Sequence, residues 1–138
     1  MNDLAWLSKL RFQQALRHEY SWTFDFDQGV RIKAECLWRL VVDGRIQRTS
    51  RDDGHQFGLP APVDAVSELN QQLSGALVNS VELHEGTLDL EIRFDSTCTL
   101  QIIPDSSGYE AWAVYSSDAE FIAVGGGNLA TFRASEGR

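Results

Sequence analysis

The chain has 138 residues, and an apolar share of 43% is enough for a packed core and argues against a disordered chain. No apolar run approaches ~18 residues, so no helical membrane span is expected. A net charge of −8 repels nucleic-acid phosphates.

Residues 2–17 read as a helix, because Leu4, Leu7 and Leu10 recur at spacing three and Phe12 and Leu16 at spacing four. Trp6 lies off that stripe. The charges of Asp3, Lys9 and Arg11 interrupt the segment, so it does not read as an export signal. From Tyr20 the period changes to two: Trp22, Phe24 and Phe26 alternate with Thr23 and Asp25. Strands follow at Val30–Ala34 and 37–42, and Asp43-Gly44 is a tight hairpin turn with a return strand after it.

Residues 50–62 form the most polar loop, with Asp52, Asp53 and His55 held irregular by Gly58, Pro60 and Pro62. Asp64 caps a second helix over 65–73, and Gly75 ends it. A strand at 77–83 leads into four short strands at 88–94, 99–103, 109–115 and 120–124, separated by Asp-, Ser- and Gly-rich turns. A last short strand takes in Leu129, Ala130 and Phe132. The expected architecture is an α+β domain over residues 1–132, antiparallel β-meander sheets with two helices packed on them, and a frayed tail over 133–138.

An internal echo runs through this pattern. Phe26-Asp27, Val30 and Ile32 match Phe94-Asp95, Cys98 and Leu100, and Trp38-x-Leu40 matches Trp112-x-Val114. The second copy is six residues longer before its tryptophan. This reads as a duplicated meander or as plain hairpin periodicity. Trp38 and Trp112 are expected to be buried against the helices.

Three places could carry chemistry. Asp52, Asp53 and His55 could hold a divalent ion or act as a base pair, but a metal needs further ligands and a supporting shell. An Asx-turn with His55 bonded to a carboxylate is the plainer reading. Glu110 lies between Tyr109 and Trp112; buried, it would be a raised-pKa acid, and beside Arg39 it would be an ion pair. Gly125-Gly126-Gly127 lacks the Lys-Ser/Thr and helix of a phosphate loop, and reads as a strand kink. Cys36 and Cys98 are far apart and outside any metal-ligand spacing, so they read as buried thiols in a cytoplasmic protein. No metal or other cofactor is expected.

The charge is uneven. Residues 1–60 hold nine Lys/Arg against eight Asp/Glu, while residues 61–132 hold one, Arg93, against eleven acids. Such a surface favours a cationic partner.

Trp38-Arg39-Leu40 with Asp43-Gly44, Asp53-Gly54-His55, Phe57-Gly58-Leu59-Pro60, Asp89-Leu90, Ser107 through Trp112 and Gly125-Gly126-Gly127 together resemble a family of small uncharacterised bacterial proteins, over about residues 20–132. Such proteins resemble, in size, acidity and α+β character, the immunity proteins that accompany polymorphic toxins. The resemblance carries over no catalytic residues. The expected function is a non-catalytic protein-binding module, an immunity protein neutralising a cationic toxin, with Asp52, Asp53, His55, Tyr109, Glu110 and Trp112 as candidate binding residues. The alternative is a small-ligand binder or enzyme with a pocket near His55 and Glu110, using Trp38 and Trp112. A third reading is self-association through a β edge left open after Thr131.

Overall fold

The computed structural model describes residues 3–133, and it is built mainly of strands. Strands β1 (Phe12–His18), β2 (Ser21–Phe26), β3 (Arg31–Ala34), β4 (Leu37–Val42) and β5 (Arg45–Thr49) precede helix α1 (Ala65–Leu73). Strands β6 (Val78–Leu83), β7 (Leu90–Phe94), β8 (Cys98–Ile103), β9 (Trp112–Tyr115), β10 (Ala119–Ala123) and β11 (Leu129–Arg133) follow. The expected α+β class with two packed helices is therefore wrong: this is a two-sheet β architecture with a single α-helix among the described residues. The tail residues 134–138 lie outside the described residues.

The first expected helix failed for a specific reason. Lys9 has φ +74, which a helix does not accommodate, and only a 3-10 turn forms, at Ala5–Leu7. Leu4, Leu7 and Leu10 are buried all the same. Beyond them, β1 carries a β-bulge between Phe12 and Gln14. The extra residue, Gln13, puts Phe12 and Ala15 on one face at spacing three, which imitates a helical period within a strand.

One sheet has the order β1-β2-β3-β9-β10-β11 and the other β5-β4-β8-β7-β6, all antiparallel. Their inner faces meet in one apolar cluster. Phe24, Ile32 and Val114 from the first sheet and Leu40, Ile92 and Leu100 from the second are almost fully enclosed. Two strand pairs run through both layers: β3 passes into β4 at residues 35–36, and β8 into β9 at residues 104–111, while β3 pairs with β9 and β4 with β8.

α1 sits across one seam between the sheets. Asn70 bonds both backbone groups of Ala15 on β1, and Glu68 lies 2.9 Å from Arg48 Nε on β5, an ion pair without hydrogen-bond alignment. The other seam closes where Phe12 N–H donates to Ala76 O and Val78 N–H to Leu10 O. Edge strand β1 thus has its backbone groups occupied, whereas β11 is an edge with Thr131, Phe132 and Arg133 exposed.

The residues of the internal echo occupy matching places. β1-β2-β3 lie in one sheet and lead to β4-β5 in the other; β6-β7-β8 lie in the second sheet and lead to β9-β10 in the first. The pairings superpose: Ala15↔Phe24 matches Val81↔Ile92, Phe24↔Ile32 matches Ile92↔Leu100, and Ile32↔Val114 matches Leu100↔Leu40. Even the bulge recurs, between Val78 and Ser80 on β6. Trp38 and Trp112 are equivalent and both enclosed, at 0% and 2% exposure. They pack between sheets rather than on helices: Trp38 meets Trp22 and Phe24 edge-on, at 5.1 and 6.3 Å between centroids.

Candidate functional site

Six connections, the four longest among them, gather at one end of the sandwich. Residues 19–20, 35–36, 50–64, 84–89, 104–111 and 124–128 link strand ends that the registers place together, such as His18↔Ser21, Ala34↔Trp112, Arg39↔Thr49 and Leu83↔Leu90. These connections carry nine carboxylates (Glu19, Glu35, Asp52, Asp53, Asp64, Glu85, Asp89, Asp105 and Glu110) and one arginine, Arg51. Five of the eleven acids of residues 61–132 are thus drawn to one end of the fold, where four acids of the first sixty residues join them.

The two five-stranded units differ most here. The first unit turns from β1 to β2 in residues 19–20 and from β3 to β4 in residues 35–36. The second uses residues 84–89 and 104–111 for the same connections. The two longer loops meet each other and the glycine loop 124–128 around a cavity of about 320 Å3. Its walls include Leu88, Asp105, Ser107, Tyr109 and Gly125 to Gly127.

This cluster is packed backbone to backbone. A Cβ on Gly127 would stand 1.9 Å from Gly86 O, and one on Gly125 2.8 Å from Ser107 O, so both positions require glycine for approach as well as for their positive φ. Ser106 Oγ accepts from the backbone N–H groups of Gly108 and Tyr109 and holds the tip of the 104–111 loop. Beneath, Trp112 Nε1 donates to Leu88 O at 3.0 Å, and Leu88 takes φ +61 although its side chain is enclosed. Trp112 is therefore the anchor under the loops, not a surface contact.

A second, open groove of about 910 Å3 lies on the other side of the 104–111 loop. Tyr20, Glu35, Asp105, Tyr109 and Glu110 line it. Tyr20 and Tyr109 are 83% and 80% exposed, so both rings are available for contact. Lys33, 3.9 Å from Glu35, is the nearest balancing cation. The acids raise the pKa of neighbouring groups. Burial first, then Asp105, Asp89 and Glu35, push the Cys36 thiol up to about 12, against a hydrogen bond with the Ile103 backbone that lowers it. Cys36 stays a neutral thiol, which is a poor nucleophile.

The residues singled out in the polar loop have structural partners. Asp52 completes a capping box with Thr49. Asp53 pairs with Arg17 and accepts from Ala65 N–H. His55 is exposed and stacks on Phe57 at 5.7 Å between centroids, with no carboxylate bonded to its ring among the described residues. These residues sit at the loop end but line neither cavity. Glu110 is exposed in the 104–111 loop and is not beside Arg39, because the two tryptophan strands belong to different sheets. Arg39 donates to Gln101 instead, at 2.8 Å. The glycine run is a loop between β10 and β11, not a kink inside a strand.

Tyr20, Glu35 and Asp105 escaped the sequence reading. The available signal was the six-residue excess of the second copy, which marked 104–111 as an insertion into an otherwise repeated frame. One further cluster could offer metal ligands: Glu82, His84 and Glu91 present ligand atoms within 4.8 Å of one another. Arg93 already reaches Glu82 at 3.4 Å and Glu91 at 3.3 Å, so a cation there would have to displace a guanidinium.

A model of a family of unknown function, DUF6188, matches residues 12–133. The chain belongs to that family. The DUF6188 match takes in both five-stranded units and every loop of the acidic end. No curated protein and no solved structure matches the chain. No helix of the described residues is long and apolar enough to cross a membrane.

Proposed function

We propose that the protein is a non-catalytic binding module that docks a cationic protein at its loop end. The observation that carries this reading is the coincidence, in one groove, of Glu35, Asp105 and Glu110 with two nearly free tyrosines, Tyr20 and Tyr109. Tyrosine gives large contact area at low conformational cost, and carboxylates around it speed encounter with a positive surface and reject a negative one. A rigid floor of glycine-packed loops limits the ordering cost of binding. An immunity protein that masks a cationic toxin is the form of this function that the sequence resemblance favours. Masking requires no reactive group, and a cytoplasmic location would follow from that role.

The test compares two charge reversals of equal size in capture from an extract of the source cell. Asp105→Lys with Glu110→Lys alters the groove, and Asp95→Lys with Asp118→Lys alters turns at the opposite end. The expected result is one cationic protein recovered by the native chain and by the second variant, and lost from the first. Recovery of the same protein by both variants, or of none by the native chain, overturns the proposal.

A further inference from the structure

The matched units contain their own control for a second site. On the outer face of the first sheet, His18 Nε2 lies 3.3 Å from Thr23 Oγ1. At the equivalent place on the second sheet, His84 Nε2 lies 2.8 Å from Glu91 Oε2. The frame is the same, but the side chains differ. Where the second unit has Asp89 just before β7 and Glu91 and Arg93 along it, the first has Ser21, Thr23 and Asp25 along β2. The longer side chains of the second unit close into an ion network, with Arg93 bridging Glu82 and Glu91. The short hydroxyls of the first leave a cavity of about 770 Å3, within the roughly 300–1,000 Å3 usual for small-ligand sites.

Asp25, the carboxylate of that cavity, is fully engaged: it takes Arg31 Nε at 2.6 Å, Arg31 Nη2 at 3.2 Å and Gln14 at 3.1 Å. The groups left over include donors. Lys33 Nζ has only the distant Glu35 carboxylate, at 3.9 Å. Ser21 is more than nine-tenths buried, yet it lines the cavity and its hydroxyl has no partner among the described residues. That hydroxyl opens onto the cavity and is free to bond a molecule held there. Tyr115 also lines the cavity; burial, then Glu120, Glu110 and Glu35, raise its pKa and keep its phenol a donor.

We infer that this cavity binds a small oxyanion-bearing molecule, its carboxylate or phosphate held by Lys33, Ser21, Thr23 and Tyr115 on the outer face of β2. Its cations are Lys33 and the Asp25-bound Arg31, and Glu35, which lines the acidic groove, lies 3.9 Å from Lys33.

The test is amide and imidazole NMR on the native chain with two probes, sodium benzoate and inorganic phosphate, and with Thr23→Glu. That substitution installs the side chain that the second unit pairs with its own histidine, and it fills the cavity with negative charge. Saturable shifts at Ser21, Thr23, Lys33 and the His18 ring are expected with at least one probe. Tighter binding of benzoate identifies an organic carboxylate, and tighter binding of phosphate a phosphorylated ligand. Thr23→Glu is expected to weaken the better probe by about tenfold or more. If Thr23→Glu disturbs amides away from the cavity, Lys33→Met carries the same comparison. No saturable shift from either probe, or equal binding by the variants, overturns the inference.

Discussion

Two tryptophans at equivalent positions show how one hydrogen bond separates otherwise similar core residues. Trp112 Nε1 is bonded to Leu88 O, while Trp38 Nε1 has no partner among the described residues. Trp112→Phe should therefore destabilise more than Trp38→Phe, by about 1–3 kcal/mol in urea unfolding, since it orphans a buried carbonyl whereas the other change removes an unpaired donor. Equal losses would show that the Leu88 contact contributes little. His84 offers a second test at this scale. The Glu91 hydrogen bond, with smaller help from Glu82 and Asp89, raises its pKa above the ordinary histidine value of 6.5. Its contribution to stability is thus full below the unfolded-state pKa and lost as pH rises through the folded one. An imidazole NMR titration should give a raised midpoint that falls back in Glu91→Gln; an unmoved midpoint would contradict the assignment. Asp25 has the opposite sign: the Arg31 bond holds its pKa below 3.8, so its contribution is lost as pH falls through that depressed value.

At the scale of elements, strand type and the hairpin turns were legible because period two and Asp-Gly chemistry are local. The Asp64 cap and α1 were equally legible. The N-terminal strand was not, because a bulge converts its period from two to three, and the same bulge lies in β6. Nor could spacing reveal that β7-β8 and β9-β10 part company into different sheets, since the crossing depends on the long 104–111 connection. Of the candidate site, Tyr109 and Glu110 were legible from the aromatic–acid run, but Tyr20 and Glu35 join them only through the pairing of β3 with β9. The glycine loop gives the element-scale prediction. Gly127→Ala meets both a positive φ and the Gly86 carbonyl, whereas Gly44→Ala, with φ +77, meets nothing within 4 Å. Gly44→Ala should cost about 1–2 kcal/mol, the left-handed penalty alone, and Gly127→Ala clearly more. Equal melting temperatures would mean that the loops are not closely packed.

Across the whole molecule, two matched units place equivalent strands on opposite sheets, and function is assigned to the places where they differ. The second unit lengthens its loops and makes an acidic, tyrosine-bearing end; the first shortens its side chains and opens a cavity on its outer face. Overall charge alone would let a cationic partner settle anywhere, because Asp43, Asp95 and Asp118 also expose acids at the opposite end. The most direct measurement is amide-shift mapping with an arginine-rich peptide at low and at physiological salt. Shifts are expected at 19–20, 35–36 and 104–111, persisting once salt has screened the diffuse attraction and diminished by Tyr20→Ser with Tyr109→Ser. Shifts spread evenly over both ends, or vanishing everywhere at physiological salt, would contradict the assignment of the loop end as the docking surface.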